Sequence, residues 1–147
     1  MPTAILDTSV YIDHWEGRLA EAAWAHVQRA FVIRHSSVVL SELRRGARTR
    51  QAQQLVDALF KLAHVQWAPS ASDWWKAGHL IRKIGDARHW DRRKRQEFQN
   101  DTLIALSARR YGATVITANR TDFELLAREL RLPVLYVQNS ASVAMPF

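Results

Sequence analysis

A chain of 147 residues, 48% of them hydrophobic, is long enough to bury one real core and too short for two ordinary domains. It contains no cysteine, so disulfides and thiolate metal sites are excluded, and any metal must be held by oxygen or imidazole. Lys and Arg outnumber Asp and Glu by 21 to 14, and the net charge of +7 favours polyanionic partners, nucleic acid among them.

In chain order, Ala4-Ile5-Leu6 is a short apolar run closed by Asp7, Thr8 and Ser9. It predicts a buried strand that emerges into solvent at Asp7. Asp7 has two readings of about equal weight: cap of the next helix, or functional group beyond the carboxyl end of a strand, where open α/β sheets collect ligands. Beyond Asp13, the spacing of Trp15, Leu19, Ala22, Ala23, Trp24 and Val27 predicts one amphipathic helix ending near Ala30. Trp15 and Trp24 suit core packing better than an interface. Phe31-Val32-Ile33 predicts a second strand, and the serines Ser36-Ser37 cap a helix that Gly46 ends. Glu42 lies in that helix among apolar neighbours, with Arg45 three residues on as its ordinary partner.

Ala52, Leu55, Val56, Leu59, Phe60 and Ala63 form a helical packing stripe, and 64–67 predicts an edge strand stopped at Pro69. A helix follows from Ser70 to Gly85, capped by Ser70 or Ser72. Basic residues then dominate 82–95, with His89 and Trp90 interleaved, and predict a basic loop. Such a loop either meets a phosphate backbone, through Arg88, Arg92, Arg93, Lys94 and Arg95, or is simply solvated. The stretch from Glu97 to Tyr111 is apolar on more than one face and predicts a largely buried helix. Asp101 near its start complements the helix dipole or serves a site. The cleanest strand is 113–117, after which Thr121 and Glu124 fit a capping box that puts Asp122 in the first turn of a helix to Arg131. A last strand over 132–137 leads to a loosely ordered tail, 138–147.

This order argues an α/β domain with a mainly parallel sheet of about five strands and right-handed crossovers. Asp7 and Asp122 then share one sheet edge, within reach of Glu42 and Asp101 on flanking helices. Four carboxylates at one place repel unless a cation neutralises them, and oxygen ligands favour Mg²⁺ or Mn²⁺ over zinc. No run approaches the roughly 18 apolar residues of a membrane span, and no basic leader precedes an apolar stretch. The expectation is a single cytoplasmic domain over 1–147 without a membrane anchor. An aspartyl-phosphate phosphotransferase would need a second Asp where Ser9 stands, and neither glycine-rich phosphate signature occurs among five glycines.

Taken together, Leu6-Asp7-Thr8-Ser9, Ser41-Glu42-Leu43, Asp101-Thr102-Leu103-Ile104-Ala105 and 117–123 (Thr-Ala-Asn-Arg-Thr-Asp-Phe) resemble the PIN-domain ribonucleases, especially the VapC-type toxins of bacterial toxin–antitoxin pairs. The resemblance spans nearly the whole chain. It implies a three-layer α/β/α fold and a Mg²⁺- or Mn²⁺-dependent endoribonuclease, with Asp7, Glu42, Asp101 and Asp122 as catalytic, metal-binding acids. Thr8, Thr117 and Asn119 would support them. It also implies an RNA substrate, a homodimer and a small antitoxin covering the acids. In such a site a metal-activated water attacks the phosphodiester in line, with no protein nucleophile. The rival expectation is a PIN-fold module without activity that binds RNA or protein.

Overall fold

The computed structural model describes residues 1–138 and 147; the rest of the predicted tail, 139–146, lies outside the described residues. The elements are β1 (Thr3–Leu6), α1 (Thr8–Trp15), α2 (Glu21–Ala30), β2 (Val32–Ser36), α3 (Ser37–Gly46), α4 (Arg50–Leu62), β3 (Gln66–Trp67), α5 (Ala71–Arg88), α6 (Arg92–Glu97), α7 (Gln99–Arg110), β4 (Thr114–Thr117), α8 (Arg120–Leu130) and β5 (Val134–Tyr136).

Five strands form one sheet in the order β3-β2-β1-β4-β5, and every pairing is parallel. Ala4, Ile5 and Leu6 of β1 are all buried although successive side chains point to opposite faces, so both faces of the sheet are covered. That is the expected three-layer arrangement. The chain leaves β1 toward β2 and β3 on one side, then returns to place β4 and β5 on the other. A crevice therefore opens beyond the carboxyl ends of β1 and β4, where the winding reverses. Register fixes its walls: Leu6 pairs with Ile116, and the Asp7 amide donates to the Ile116 carbonyl at 2.9 Å.

The core runs through α7, where every residue from Thr102 to Ala108 is buried. Its two hydroxyls are satisfied within the helix, Thr102 donating to the Phe98 carbonyl and Ser107 to the Leu103 carbonyl. Tyr11, Trp15 and Trp24 pack against this core and one another, Tyr11 lying 5.7 Å from Trp15 and 6.4 Å from Trp24 between ring centroids. The tryptophans are thus packing residues. Among the described residues no helix is long and apolar enough to cross a membrane.

Three local expectations need correction. The single helix expected after Asp13 is two helices: α1 starts at Thr8, and the chain breaks at Gly17, whose φ of 75° suits a residue without Cβ. Arg18 fastens the break by bonding Asp13 and Glu16. The expected basic loop at 82–95 is mostly helical. α5 continues to Arg88, His89 turns left-handed at φ 57°, and Asp91 caps α6 by accepting from the Lys94 amide at 2.9 Å. Finally, α8 is capped by Asn119, one helical position ahead of Arg120, rather than by Thr121. Glu124 pairs with Arg120 at 3.0 Å instead of closing a capping box.

A capping box does occur at α5. Ser70 accepts from the Asp73 amide at 3.1 Å and the Asp73 carboxylate accepts from the Ser70 amide at 2.9 Å. Asp73 also accepts from Arg110 at 3.1 Å, which ties the start of α5 to the end of α7. Ser70→Ala is expected to lower stability by about 1 kcal/mol, measured by urea unfolding.

Candidate metal centre

Asp7 ends the central strand and occupies the N-cap position of α1, yet its side chain makes no capping bond. Its Oδ2 instead accepts from Ser9 Oγ at 2.8 Å and Thr117 Oγ1 at 2.8 Å. Both hydroxyls are themselves held by backbone, Ser9 by the Ala118 amide and Thr117 by the Asn119 amide. The carboxylate is 4% exposed and points into the crevice between β1 and β4 rather than serving the helix.

The other three acids reach the same edge from separate elements. α3 presents Glu42, whose Oε1 accepts from Thr8 Oγ1 at 2.8 Å. Asp101 lies in the first turn of α7 and Asp122 in the first turn of α8. Asn119 bridges them, its Nδ2 donating to Asp101 Oδ2 and Asp122 Oδ2, each at 3.3 Å. Lys94 of α6 adds a cation, with Nζ 3.0 Å from Asp122 Oδ1 and 3.2 Å from Oδ2. Thr8, Thr117 and Asn119 therefore each hold a carboxylate in place.

The electrostatics follow from burial and crowding. Burial pushes the Asp7 carboxyl above its usual range and the Glu42 charge adds to this, against the Thr117 and Ser9 hydrogen bonds. Asp101 is pushed up to about 8, first by burial and then by Asp7, Glu42 and Asp122, with Lys94 opposing. Like charges in a poorly hydrated crevice account for such shifts. Among the described residues, no group of three or more acidic or imidazole side chains is already gathered to hold a metal ion. What suits a hard divalent cation is the chemistry of the donors: all four are carboxylates, and Asp7, Glu42, Asp101 and Asp122 are each oriented by a polar side chain.

A pH dependence follows for the protein without metal. The folded state keeps a proton on Asp101 up to about pH 8, whereas an unfolded chain releases it near 3.8. Folded molecules hold the extra proton between those values, so stability falls as pH rises through this window and levels off above it. Calorimetry in chelator is expected to show a melting temperature lower at pH 8 than at pH 5. Asp101→Asn should flatten the trend, and Mg²⁺ should raise the pH 8 value.

A family model for the PIN domain matches residues 4–129, nearly the whole described chain. The chain belongs to the PIN-domain family. PIN domains are generally nucleases. No curated protein matches at a significant level. Solved structures with the same fold include VapBC2 from Rickettsia felis bound to a DNA fragment from its promoter, 22% identical with a TM-score of 0.59, covering 92% of this chain and 98% of that one. VapBC-5 from Mycobacterium tuberculosis is 23% identical with a TM-score of 0.59, over 92% and 100% of the two chains. VapBC-1 from nontypeable Haemophilus influenzae is 18% identical with a TM-score of 0.63, over 91% and 97%. These likenesses concern the fold.

Within this PIN domain the basic residues divide. Arg88, Arg92 and Arg93 are exposed, with Arg93 paired to Glu97 at 3.0 Å. Arg95 turns inward, bonding the Trp90 carbonyl at 3.0 Å and Asp86 at 2.9 Å. It lies across Gly85, where an added Cβ would stand 2.9 Å from the guanidinium. Lys94 faces the acids, a placement that charge counting does not reveal. Lys94 is expected from the sequence only as an RNA contact, and Ser9 is not expected as a site residue at all. Its signal is a hydroxyl two residues beyond an acid that ends a strand.

Proposed function

We propose that this PIN domain is a divalent-metal-dependent endoribonuclease and the toxin of a type II toxin–antitoxin pair. The observation that carries the reading is the buried Asp7 carboxylate beyond the end of the central strand, raised by burial and by Glu42, next to an Asp101 carboxyl raised by burial and by the charges of Asp7, Glu42 and Asp122. Asp7 and Asp101 would hold Mg²⁺ or Mn²⁺ directly, with Glu42 and Asp122 completing the set directly or through water. When bound, such an ion polarises a phosphoryl oxygen and lowers the pKa of water, making hydroxide available near neutral pH.

The chain's own groups do the positioning. Ser9 and Thr117 fix Asp7, Thr8 fixes Glu42, and Asn119 spaces Asp101 from Asp122. The exposed Arg88, Arg92 and Arg93 supply positive charge near the α5–α6 corner for an RNA backbone. Beside Glu42, a groove of about 550 Å³ is lined by Ile12, Glu16, Gly46, Arg48, Thr49 and Phe147. VapBC pairs among the structural neighbours support a small antitoxin as the partner that silences the activity, and we extend to this chain the homodimer that the resemblance implies.

The test is to incubate purified protein with total RNA and Mg²⁺ or Mn²⁺ and to map the new ends. Cleavage at a small set of sites is expected, lost on adding chelator and in both Asp7→Asn and Asp101→Asn. Undiminished cleavage by both variants would refute the site. Binding of RNA without cleavage would point to a module that kept the fold and lost the reaction.

A further inference from the structure

The acids are unequally engaged. Among the described residues, Asp101 and Glu42 take hydrogen bonds on one oxygen each, Oδ2 and Oε1. Asp122 is engaged on both: Lys94 Nζ contacts Oδ1 at 3.0 Å and Oδ2 at 3.2 Å, and Asn119 adds a bond to Oδ2. One of the four carboxylates already has its cation.

That cation is held by more than the ion pair. The Lys94 ammonium lies 5.1 Å from the centroid of the Trp90 ring and 5.8 Å from that of Phe98, so two aromatic faces share its charge. The rings brace each other edge to face at 4.9 Å, and Phe98 is fully buried. The Lys94 amide is fixed by the Asp91 cap, and neighbouring Arg95 pins the α5–α6 corner through Asp86 and the Trp90 carbonyl. Swinging the lysine aside would give up the ion pair and both aromatic contacts. A divalent ion on Asp122 would stand beside the ammonium and be repelled by it.

We propose that the Lys94 ammonium occupies the second cation position of this centre, so that the acids take one divalent ion, on Asp7, Asp101 and Glu42, while Asp122, kept by Lys94, joins that set only through water. The inference rests on the divalent-ion reading of the site given above. Lys94 would supply as a fixed side chain the positive charge that two-ion nucleases obtain from a second metal. Its role toward Asp122 is positioning, and its count of bound ions is measurable without RNA.

Binding of Mn²⁺ to the full chain, followed by calorimetry and by the resonance signal of free Mn²⁺, is expected to give one ion per chain. Lys94→Gln removes the charge and should bind two, whereas Lys94→Arg keeps it and should bind one. Circular dichroism checks that each variant is folded; should Lys94→Gln fail to fold, the wild-type count still decides. Two ions on the wild type, or one on folded Lys94→Gln, overturns the inference and leaves the nuclease reading standing. No ion on the wild type overturns the divalent-ion reading and this inference with it.

Discussion

Asp7→Asn is expected to lower metal-dependent RNA cleavage about a thousandfold, the loss of roughly 4 kcal/mol of charge stabilisation at the reacting phosphate. The carboxamide keeps the size of the side chain and an oxygen to accept from Ser9 and Thr117, but not the negative charge that would hold a cation. Burial already disfavours that charge, since the Asp7 carboxyl is pushed upward by its surroundings. Without metal, the variant should therefore melt no lower than the wild type. The informative result is the pair: cleavage gone, melting temperature unchanged or raised, and stabilisation by Mg²⁺ much reduced. If cleavage survives in Asp7→Asn, or if its loss simply follows unfolding, the assignment of Asp7 fails.

The second large effect concerns stability. Phe123 follows Asp122 on α8, is fully buried, and is among the largest side chains sealed within the core. Phe123→Ala should cost about 3–5 kcal/mol, because the ring's burial is lost and the close-packed surroundings collapse only in part around the void. In a chain of this length, that corresponds to a melting temperature lower by roughly 10 °C or more. Urea unfolding followed by tryptophan fluorescence measures it, and a loss below about 1 kcal/mol would mean that α8 packs differently. The two substitutions separate the site from its support: the first should spare the fold, and the second should weaken it.

Much of this architecture is legible in the sequence because a parallel sheet leaves a plain trace. β1 and β4 are short apolar runs cut off by polar groups, since both of their faces are buried. The expected emergence into solvent at Asp7 does not occur, because Asp7 and Thr117 are buried against each other in the crevice at the strand ends. Asp7 and Asp122 are legible as acids at such ends. The break between α1 and α2 is harder to read, because the apolar spacing continues through it; only Gly17 marks it, and the turn depends on Arg18 reaching two acids. The corner at 82–95 misleads for a different reason. Its charges suggest solvent, but Ile81, Ile84 and Gly85 are buried and Arg95 lies flat on Gly85. The pairing of Lys94 with Asp122 joins residues 28 apart on different helices, and no local pattern encodes it. At α8, Thr121 and Glu124 carry the expected letters, yet the helix begins at Arg120, so Asn119 takes the cap position, and its amide also bridges two acids.

Thr117 bonds Asp7 across 110 residues of sequence, and β1 pairs with β2 and β4 alone. A strand without a local partner must wait for distant chain to arrive, so formation of this sheet is paced by the closure of long loops. A fragment that ends between Glu42 and Thr117 has Asp7 and Glu42 but lacks the hydroxyl, the Asn119 bridge and Asp122. The acidic crevice is therefore among the last features to take shape as the chain lengthens, and a polypeptide stopped short of Thr117 carries Asp7 with Ser9 as its neighbour but without Thr117, Asn119 or Asp122.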